Sequence, residues 1–208
     1  MAGHLVRHQE HGGAFKRAVA QFRQRDLPFS PGRCHIYVSL ACPWASRTII
    51  FHKLKGLTDA ISMSVVEAHM GKEGWTFATP EPLFGKTKLH ELYTQADPTY
   101  SGRVTVPILW DKQLGTIVNN ESSEIIRLFN GWTETGRDLY PETLRDEIDA
   151  INAVVYDNVN NGVYKAGFAT VQEKYEEAFE SLFTALEELE KRLTGQPFLV
   201  GQTITEAD

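Results

Sequence analysis

Residues 34–56 read CHIYVSLACPWASRTIIFHKLKG, and this stretch decides the fold. Its first residues, up to Leu40, are rich in β-branched and aromatic side chains, which predicts a strand. Pro43 and Gly56 are typical of the first position of a helix and of the position just beyond its end. A strand that runs directly into a helix is the first half of a βαβ unit. The right-handed crossover rule then predicts that the next strand, ISMSVV at 61–66, is parallel to the first.

The next segments complete a recognisable order of elements. Residues 89–96 predict a short helix, and VPILWD (106–111) and GTIVNN (115–120) predict a β-hairpin. ESSEIIRLFN (121–130) predicts a helix with two carboxylates near its positive end. The order β-α-β-α-β-β-α over residues 33–130 is that of the thioredoxin fold.

The remainder of the chain is predicted to be helical. A turn-rich linker at 131–141 leads into two stretches with helical spacing, 142–161 and 170–194. In the second stretch, apolar residues recur at alternating spacings of four and three, which is typical of a helix that packs one face on a neighbour. We therefore expect an α/β thioredoxin-like domain followed by an all-α domain over 142–208.

Both ends of the chain carry further signals. Residues 1–32 are expected to form an N-terminal extension. Within it, residues 14–25 (AFKRAVAQFRQR) have apolar side chains at helical spacing, which predicts a helix. Near the other end, Thr205 and Asp208 have the spacing of a capping box, which predicts the start of a helix.

Composition limits the class of protein. The chain has 208 residues, of which 42% are apolar and 23% charged, and its net charge is −6, which predicts a soluble globular protein of one large or two small domains. No stretch collects the Lys and Arg side chains that would bind phosphates, so we expect neither nucleic acid nor an anionic membrane as a partner. The sequence also lacks a spanning apolar run and a signal peptide, which predicts a cytoplasmic protein.

Cys42 is the strongest candidate for chemistry. It precedes Pro43, which places its sulfur at the N-terminus of the predicted helix, where the N–H groups of Trp44 or Ala45 can donate to a thiolate. Since such surroundings favour the thiolate, we interpret Cys42 as a nucleophile rather than an inert buried cysteine. Cys34 lies inside the preceding strand and is expected to belong to the core. Two cysteines are too few for a disulfide framework.

The motif around Cys42 is C-P-W-A, so Ala45 stands where a CxxC enzyme has its second cysteine. A mixed disulfide on Cys42 therefore needs an outside thiol for its resolution, and glutathione is the obvious candidate. Trp75 and Arg103 lie in predicted loops and can offer such a tripeptide an aromatic wall and a carboxylate clamp, although each is more often a packing or surface residue.

Two further segments suit an acidic tripeptide. Pro107 opens a strand after Val106 and leaves a backbone edge that can pair with an extended peptide, an arrangement that a cis bond would suit. Glu121 and Ser122 open a helix, where Glu can bind an ammonium group and Ser a carboxylate. Simple helix capping explains these two residues equally well.

The sequence resembles the Xi-class glutathione transferases, the glutathionyl-hydroquinone reductases, along almost its whole length. The matching segments are YVSLACPWASRT (37–48), KLKGL (53–57), GRVTVPILWDK (102–112), TIVNNESSEIIRLFN (116–130), VYDNVNNGVYKAGFA (155–169) and TEAD (205–208). The resemblance implies a homodimer that uses glutathione as a co-substrate, without a metal, to reduce S-glutathionyl-hydroquinones to hydroquinones. The glutathione leaves as the disulfide.

The resemblance also implies the role of individual residues. Cys42 matches the family nucleophile, and Tyr164 looks like the tyrosine proposed as proton donor to the leaving aromatic ring, although a tyrosine that only packs is the alternative. The implied glutathione-binding positions are Trp75, Arg103, Val104, Thr105, Val106, Glu121 and Ser122.

Two rival functions stay open. A glutaredoxin-like thiol transferase or dehydroascorbate reductase would use the same cysteine on other substrates, and a binding protein on the same fold would have no reactive cysteine. Members of the family continue past TEAD. We therefore expect the chain to hold only the first part of the all-α domain, to expose part of the apolar stripe at 170–194, and to have impaired activity.

Overall fold

The computed structural model describes residues 12–208. They form two compact units, one of Val19–Arg137 and one of Asp138–Asp208 together with residues 12–18. Across this described range, no helix is both long enough and apolar enough to cross a membrane.

The first unit is built on a four-stranded sheet in the order β2-β1-β3-β4. Its strands are β1 (Cys34–Val38), β2 (Ser62–Val65), β3 (Ile108–Asp111) and β4 (Thr116–Asn119). Strand β1 pairs in parallel with β2 and antiparallel with β3, and β3 and β4 form an antiparallel pair. The predicted parallel crossover and the predicted hairpin are therefore confirmed.

Three helices complete this unit: α1 (Pro43–Leu54), α2 (Leu89–Ala96) and α3 (Ser122–Trp132). The predicted order of the thioredoxin-like domain is confirmed. Gly56 follows α1 with a φ of 63°, a left-handed conformation that glycine adopts without a steric penalty, so the sequence stops the helix where the pattern predicted.

Every residue of β1 is buried, and the side chains of His35 and Tyr37 have hydrogen-bond partners. The two ring nitrogens of His35 lie 2.7 and 2.9 Å from the hydroxyl groups of Ser62 and Ser64 on β2. Burial lowers the pKa of His35 to about 4, so the ring is neutral at physiological pH. The Tyr37 hydroxyl donates to Glu81 at 2.9 Å, which fastens the loop after β2 to the central strand.

The predicted helix over residues 14–25 is wrong, because the described residues of this segment contain no helix. Instead, Arg23 forms an antiparallel bridge with Asn119 at the end of β4. The Gln24 N–H donates to Val118 O at 2.9 Å, and the Asn120 N–H donates to Phe22 O at 3.0 Å. Hydrogen bonding to the open edge of β4 outweighs the weak helical periodicity of the segment.

The second unit is all-helical between Pro141 and Gln196. A 3₁₀ turn (Glu142–Leu144) leads into α4 (Arg145–Val154), which continues through a π-helical segment (Val155–Asn160) into α5 (Gly162–Gly167), and α6 (Gln172–Gly195) follows. The predicted helix at 142–161 is thus divided, and α5 was not predicted. On α6, Leu182 is buried, whereas several members of the predicted apolar stripe are exposed, namely Tyr175, Phe179, Leu186 and Leu193.

Half of the predicted capping box is present near residue 205, because the Thr205 hydroxyl accepts the N–H of Ala207 and not that of Asp208. The Thr205 N–H donates to Asp208 Oδ2 at 2.8 Å, and the Thr205 hydroxyl accepts from the Ala207 N–H at 3.3 Å. Asp208 also accepts the Leu199 N–H at 2.7 Å. This turn therefore holds Leu199 against the small core that includes Ile148.

Arg33, the residue before β1, forms an ion pair with Asp111, which is buried at the end of β3. The Arg33 Nε–H donates to Asp111 at 2.8 Å, and the N–H groups of Gln113 and Leu114 in the hairpin turn donate to the same carboxylate. Burial by itself raises the pKa of Asp111, but these hydrogen bonds outweigh it and hold the pKa below its usual value. The charged form of Asp111 therefore stabilises the fold.

We expect Asp111→Asn to lower the free energy of unfolding by about 2 kcal/mol at neutral pH, since Arg33 and two N–H groups of the hairpin turn lose a charged acceptor. Because the folded-state pKa is lowered, the contribution of Asp111 is complete above pH ~4 and is lost as the pH falls through the folded pKa. Urea unfolding at several pH values should thus show a weaker acid dependence in the variant. The exposed Asp59→Asn is the control, and equal stability of the two variants would contradict the prediction.

Candidate functional site

Cys42 is the N-cap residue of α1, as predicted. Its side chain makes no capping hydrogen bond, so the expected bond from Trp44 or Ala45 to the sulfur is not formed. The carbonyl oxygen of Cys42 accepts the Ala45 N–H instead, at 3.1 Å. The thiol points to the carbonyl oxygen of Val106, 3.7 Å from Sγ.

The Val106–Pro107 peptide bond, which follows the residue that contacts the thiol, is cis. Pro107 directly precedes β3, so the sheet fixes the chain on one side of this bond. Cys42 and Val106 come from segments 64 positions apart, and the thiol contact joins them. The sheet thus brings the candidate nucleophile to one of the segments that the resemblance assigns to glutathione.

Glu121 and Ser122 lie at the start of α3, where Glu121 is the N-cap residue and accepts the Ser123 N–H at 3.2 Å. Helix capping is therefore part of what Glu121 does. Arg47 of α1 reaches the same point: its Nε and Nη2 donate to the Ser122 hydroxyl at 3.0 and 2.7 Å, and Nη2 lies 3.6 Å from a Glu121 oxygen. A cation, a carboxylate and a hydroxyl thus meet at one helix N-terminus.

Sequence reasoning missed Arg47, although it lies within the quoted CPWASRT motif. The signal was its position five residues after Cys42, near the start of α1. Because both α1 and α3 begin near the sheet, a long cation on the first turns of α1 can bridge to the start of α3. Its guanidinium also lies 5.5 Å from the centre of the Trp44 ring.

Tyr93 of α2 is a second missed residue. Its hydroxyl donates to Thr105 O at 2.8 Å and accepts the Asn120 side-chain amide at 3.1 Å. It is fully buried, and burial raises its pKa, so the hydroxyl is protonated. A buried tyrosine in an amphipathic helix looks like ordinary core in the sequence, which is why no pattern identified it.

Trp75 and Arg103 lie outside regular secondary structure, as predicted, and both are half-buried. The Leu89 N–H at the start of α2 donates to Trp75 O at 2.9 Å. The Tyr100 hydroxyl donates to Arg103 O at 2.7 Å. Both backbone positions are therefore fixed by neighbouring groups, while the glutathione-binding roles of Trp75, Arg103, Val104, Thr105, Val106, Glu121 and Ser122 stay predictions.

Tyr164 lies on α5 in the helical unit. Its ring stacks on Phe15, with centroids 5.9 Å apart, and the Arg17 guanidinium lies 4.4 Å from the ring centre. Arg17 is itself held by the side chain of Asn161, to which its Nε donates at 2.5 Å. Phe15 and Arg17 thus pack against the Tyr164 ring. No sequence pattern predicted these contacts, because they join distant parts of the chain.

The two cysteines differ in environment. Cys34 is buried in β1, and burial together with the neighbouring Asp111 carboxylate raises its pKa to about 11. Cys42 is half-exposed at a helix N-terminus. Within residues 12–208, no group of three or more His, Cys, Asp or Glu side chains is arranged to hold a metal ion. The chemistry that this arrangement offers is that of a single accessible thiol.

We expect iodoacetamide to modify Cys42 at least about 100-fold faster than Cys34 in the folded protein at neutral pH, because only Cys42 is accessible and Cys34 is held as the thiol. Peptide mass mapping during the reaction measures both rates. Cys34→Ser serves as the control and should leave the fast reaction unchanged, whereas Cys42→Ser should abolish it. Equal labelling of the two cysteines would contradict the assignment.

Comparison with known proteins identifies the family. A family model described as the N-terminal domain of glutathione S-transferase matches residues 41–130. The chain is 53% identical to glutathionyl-hydroquinone reductase PcpF of Sphingobium chlorophenolicum and 49% identical to glutathionyl-hydroquinone reductase YqjG of Escherichia coli, and in both cases the match covers 95% of the chain and 67% of the relative. The chain thus spans about two thirds of the length of these relatives.

The solved structures agree with the sequence comparison. The crystal structure of glutathione S-transferase Xi from Phanerochaete chrysosporium superposes with a TM-score of 0.90 at 50% identity, covering 94% of this chain and 69% of that one. Similarity at this level extends over both units and not only over the thioredoxin-like part. The chain belongs to the Xi class of the glutathione transferases.

Proposed function

We propose that the protein reduces S-glutathionyl-hydroquinones to free hydroquinones at the expense of glutathione, through a mixed disulfide between Cys42 and glutathione. The observation that carries the proposal is a single accessible cysteine at the N-terminus of α1, followed by Ala45 in place of a second cysteine. Relatives about half identical to the chain carry the name of this activity. A hydroxyl in place of the thiol can only hold glutathione by hydrogen bonding, whereas a thiolate can form the covalent intermediate.

Glutathione is proposed to bind along the residues that join Cys42 to α3. The Glu121 carboxylate would bind its ammonium group, and Ser122 would bind a carboxylate. Arg47 supports the second assignment, because it donates to the Ser122 oxygen and leaves the Ser122 O–H to donate to a ligand. The backbone of Val104–Val106 would pair with the peptide part, and Trp75 and Arg103 would complete the site. The solved structure of YqjG from Escherichia coli contains glutathione, which supports this ligand.

The first chemical step is an attack of the Cys42 thiolate on the sulfur of the bound conjugate. A sulfur–sulfur bond forms as the sulfur–carbon bond breaks, and the electron pair of that bond goes to the ring carbon, which takes up a proton. The two sulfur atoms are thereby oxidised to a disulfide and the ring carbon is reduced. We assign the proton to the Tyr164 hydroxyl, a role implied by its match to the family motif.

The second step regenerates the thiolate. A glutathione thiolate attacks the glutathionyl sulfur of the mixed disulfide, Cys42 leaves as a thiolate, and glutathione disulfide is released. This step needs an outside thiol because Ala45 stands at the position of a resolving cysteine. As part of the same proposal, the protein acts as a homodimer in the cytoplasm.

Incubation with one equivalent of a glutathionyl-hydroquinone, without free glutathione, should add the mass of one glutathione to the protein, located on Cys42 by peptide mapping. We expect Cys42→Ala to reduce turnover at least about 1,000-fold, since the other thiol, Cys34, is buried and protonated. Cys34→Ser should retain turnover. Full activity of Cys42→Ala would overturn the proposal.

Substrate comparison separates the proposal from its rivals. Faster turnover of dehydroascorbate or a simple glutathione mixed disulfide than of a glutathionyl-hydroquinone would favour the thiol transferases. Slow alkylation of Cys42 at pH 6, with no turnover of any of these substrates, would favour a binding protein.

Tyr164→Phe tests the proton donor. We expect it to lower kcat for the glutathionyl-hydroquinone by about 100-fold, because a carbon leaving group needs a proton in the transition state. A small-molecule glutathione mixed disulfide, whose leaving group is a thiolate, should react within about threefold of the native rate. Tyr175→Phe, an exposed tyrosine of α6, is the matched control. Equal losses on both substrates would assign Tyr164 to packing.

A further inference from the structure

We propose that the Tyr93 hydroxyl is a positioning group that holds the two glutathione-binding segments, Val104–Val106 and Glu121–Ser122, at a fixed separation. This inference rests on the proposed glutathione site. The Tyr93 hydroxyl bonds to Thr105 and Asn120 and not to Cys42, Glu121 or Ser122.

One oxygen atom makes all the connections. The Tyr93 hydroxyl donates its hydrogen to Thr105 O at 2.8 Å, accepts the Thr105 N–H at 3.2 Å, and accepts the Asn120 side-chain amide at 3.1 Å. A phenol has one hydrogen and two lone pairs to offer, so these three bonds match its capacity. The Thr105 hydroxyl lies 3.3 Å from the same oxygen. Both polar groups of the Thr105 backbone are thus tied to the same point as Asn120.

The partners of Tyr93 lie at or next to the proposed ligand positions. Thr105 directly precedes Val106, whose carbonyl oxygen contacts the Cys42 thiol. Asn120 directly precedes Glu121, and its own orientation is set by Phe22, whose N–H donates to the Asn120 side-chain oxygen at 3.2 Å. Because Thr105 is itself a proposed ligand position and Asn120 lies one position from another, a shift of either partner moves the site.

The ring that carries this hydroxyl cannot easily turn. Tyr93 is fully buried, and its ring packs against those of Tyr100 and Phe22 with centroids 4.8 and 5.9 Å apart. Tyr100 in turn donates to Arg103 O, at the start of the same glutathione-binding loop. A rigid anchor of this kind preorganises the site, so that glutathione does not spend binding free energy on ordering the loop.

Tyr93→Phe removes only the hydroxyl oxygen and leaves the ring packing in place. We expect the Kd for S-methylglutathione, which cannot form a disulfide, to rise about tenfold by isothermal titration calorimetry on the full chain, because the Thr105 backbone and the Asn120 amide lose their common partner. The KM for glutathione should rise by a similar factor, with kcat changed less than about threefold. Tyr37→Phe is the matched control, since it also loses one buried hydroxyl but contacts neither segment.

Asn120→Ala gives a second test in case Tyr93→Phe folds poorly. It removes one arm of the connection and should raise the Kd about threefold, and its effect should not add to that of Tyr93→Phe in the double variant. A lower Tm with an unchanged Kd in both single variants would overturn the inference and leave the proposed function intact. Failure of the native protein to bind S-methylglutathione would overturn both.

Discussion

Hydrogen bonding of β1 to a strand on each side fixes the positions of the other elements of the first unit. Strand β1 is hydrogen-bonded in parallel to β2 and antiparallel to β3, and all its residues are buried. Its direction and depth are therefore fixed, and α1 starts only a few residues after it ends. The position of Cys42 is therefore set by β1. Strand β3 pairs with β1 as well, and this pairing places the cis Val106–Pro107 bond beside the thiol.

The elements near β1 were predictable because local and global signals agree there. Pro43 and Gly56 mark the ends of α1, and the β-branched content of 34–40 is strong. The helix predicted at 14–25 failed for a physical reason: its apolar spacing is real but short, and the open edge of β4 offers its backbone better hydrogen bonds. The apolar periodicity of one segment gives no information about hydrogen-bonding groups on residues about 95 positions away.

The candidate site divides in the same way. Cys42 was identifiable from two adjacent letters, because a cysteine before a helix-opening proline has a defined electrostatic environment. Glu121 and Ser122 were identifiable as a helix start, but not as partners of Arg47. Tyr93 was not identifiable at all, since its importance lies in three hydrogen bonds to segments that the sequence does not show to be adjacent. A buried side chain that positions a site without contacting the ligand has the same sequence pattern as an ordinary core residue.

The bridge between Arg23 and Asn119 affects how the sheet meets other chains. An open edge strand presents unpaired N–H and C=O groups on which a second chain can add a strand and begin to aggregate. Residues 22–24 occupy that position on β4, and Glu124 holds them there by accepting hydrogen bonds from Arg23 and Arg25. The chain therefore covers the edge of its own sheet. A shortened form that begins after residue 25 would expose the backbone of β4 to strand addition by a second chain.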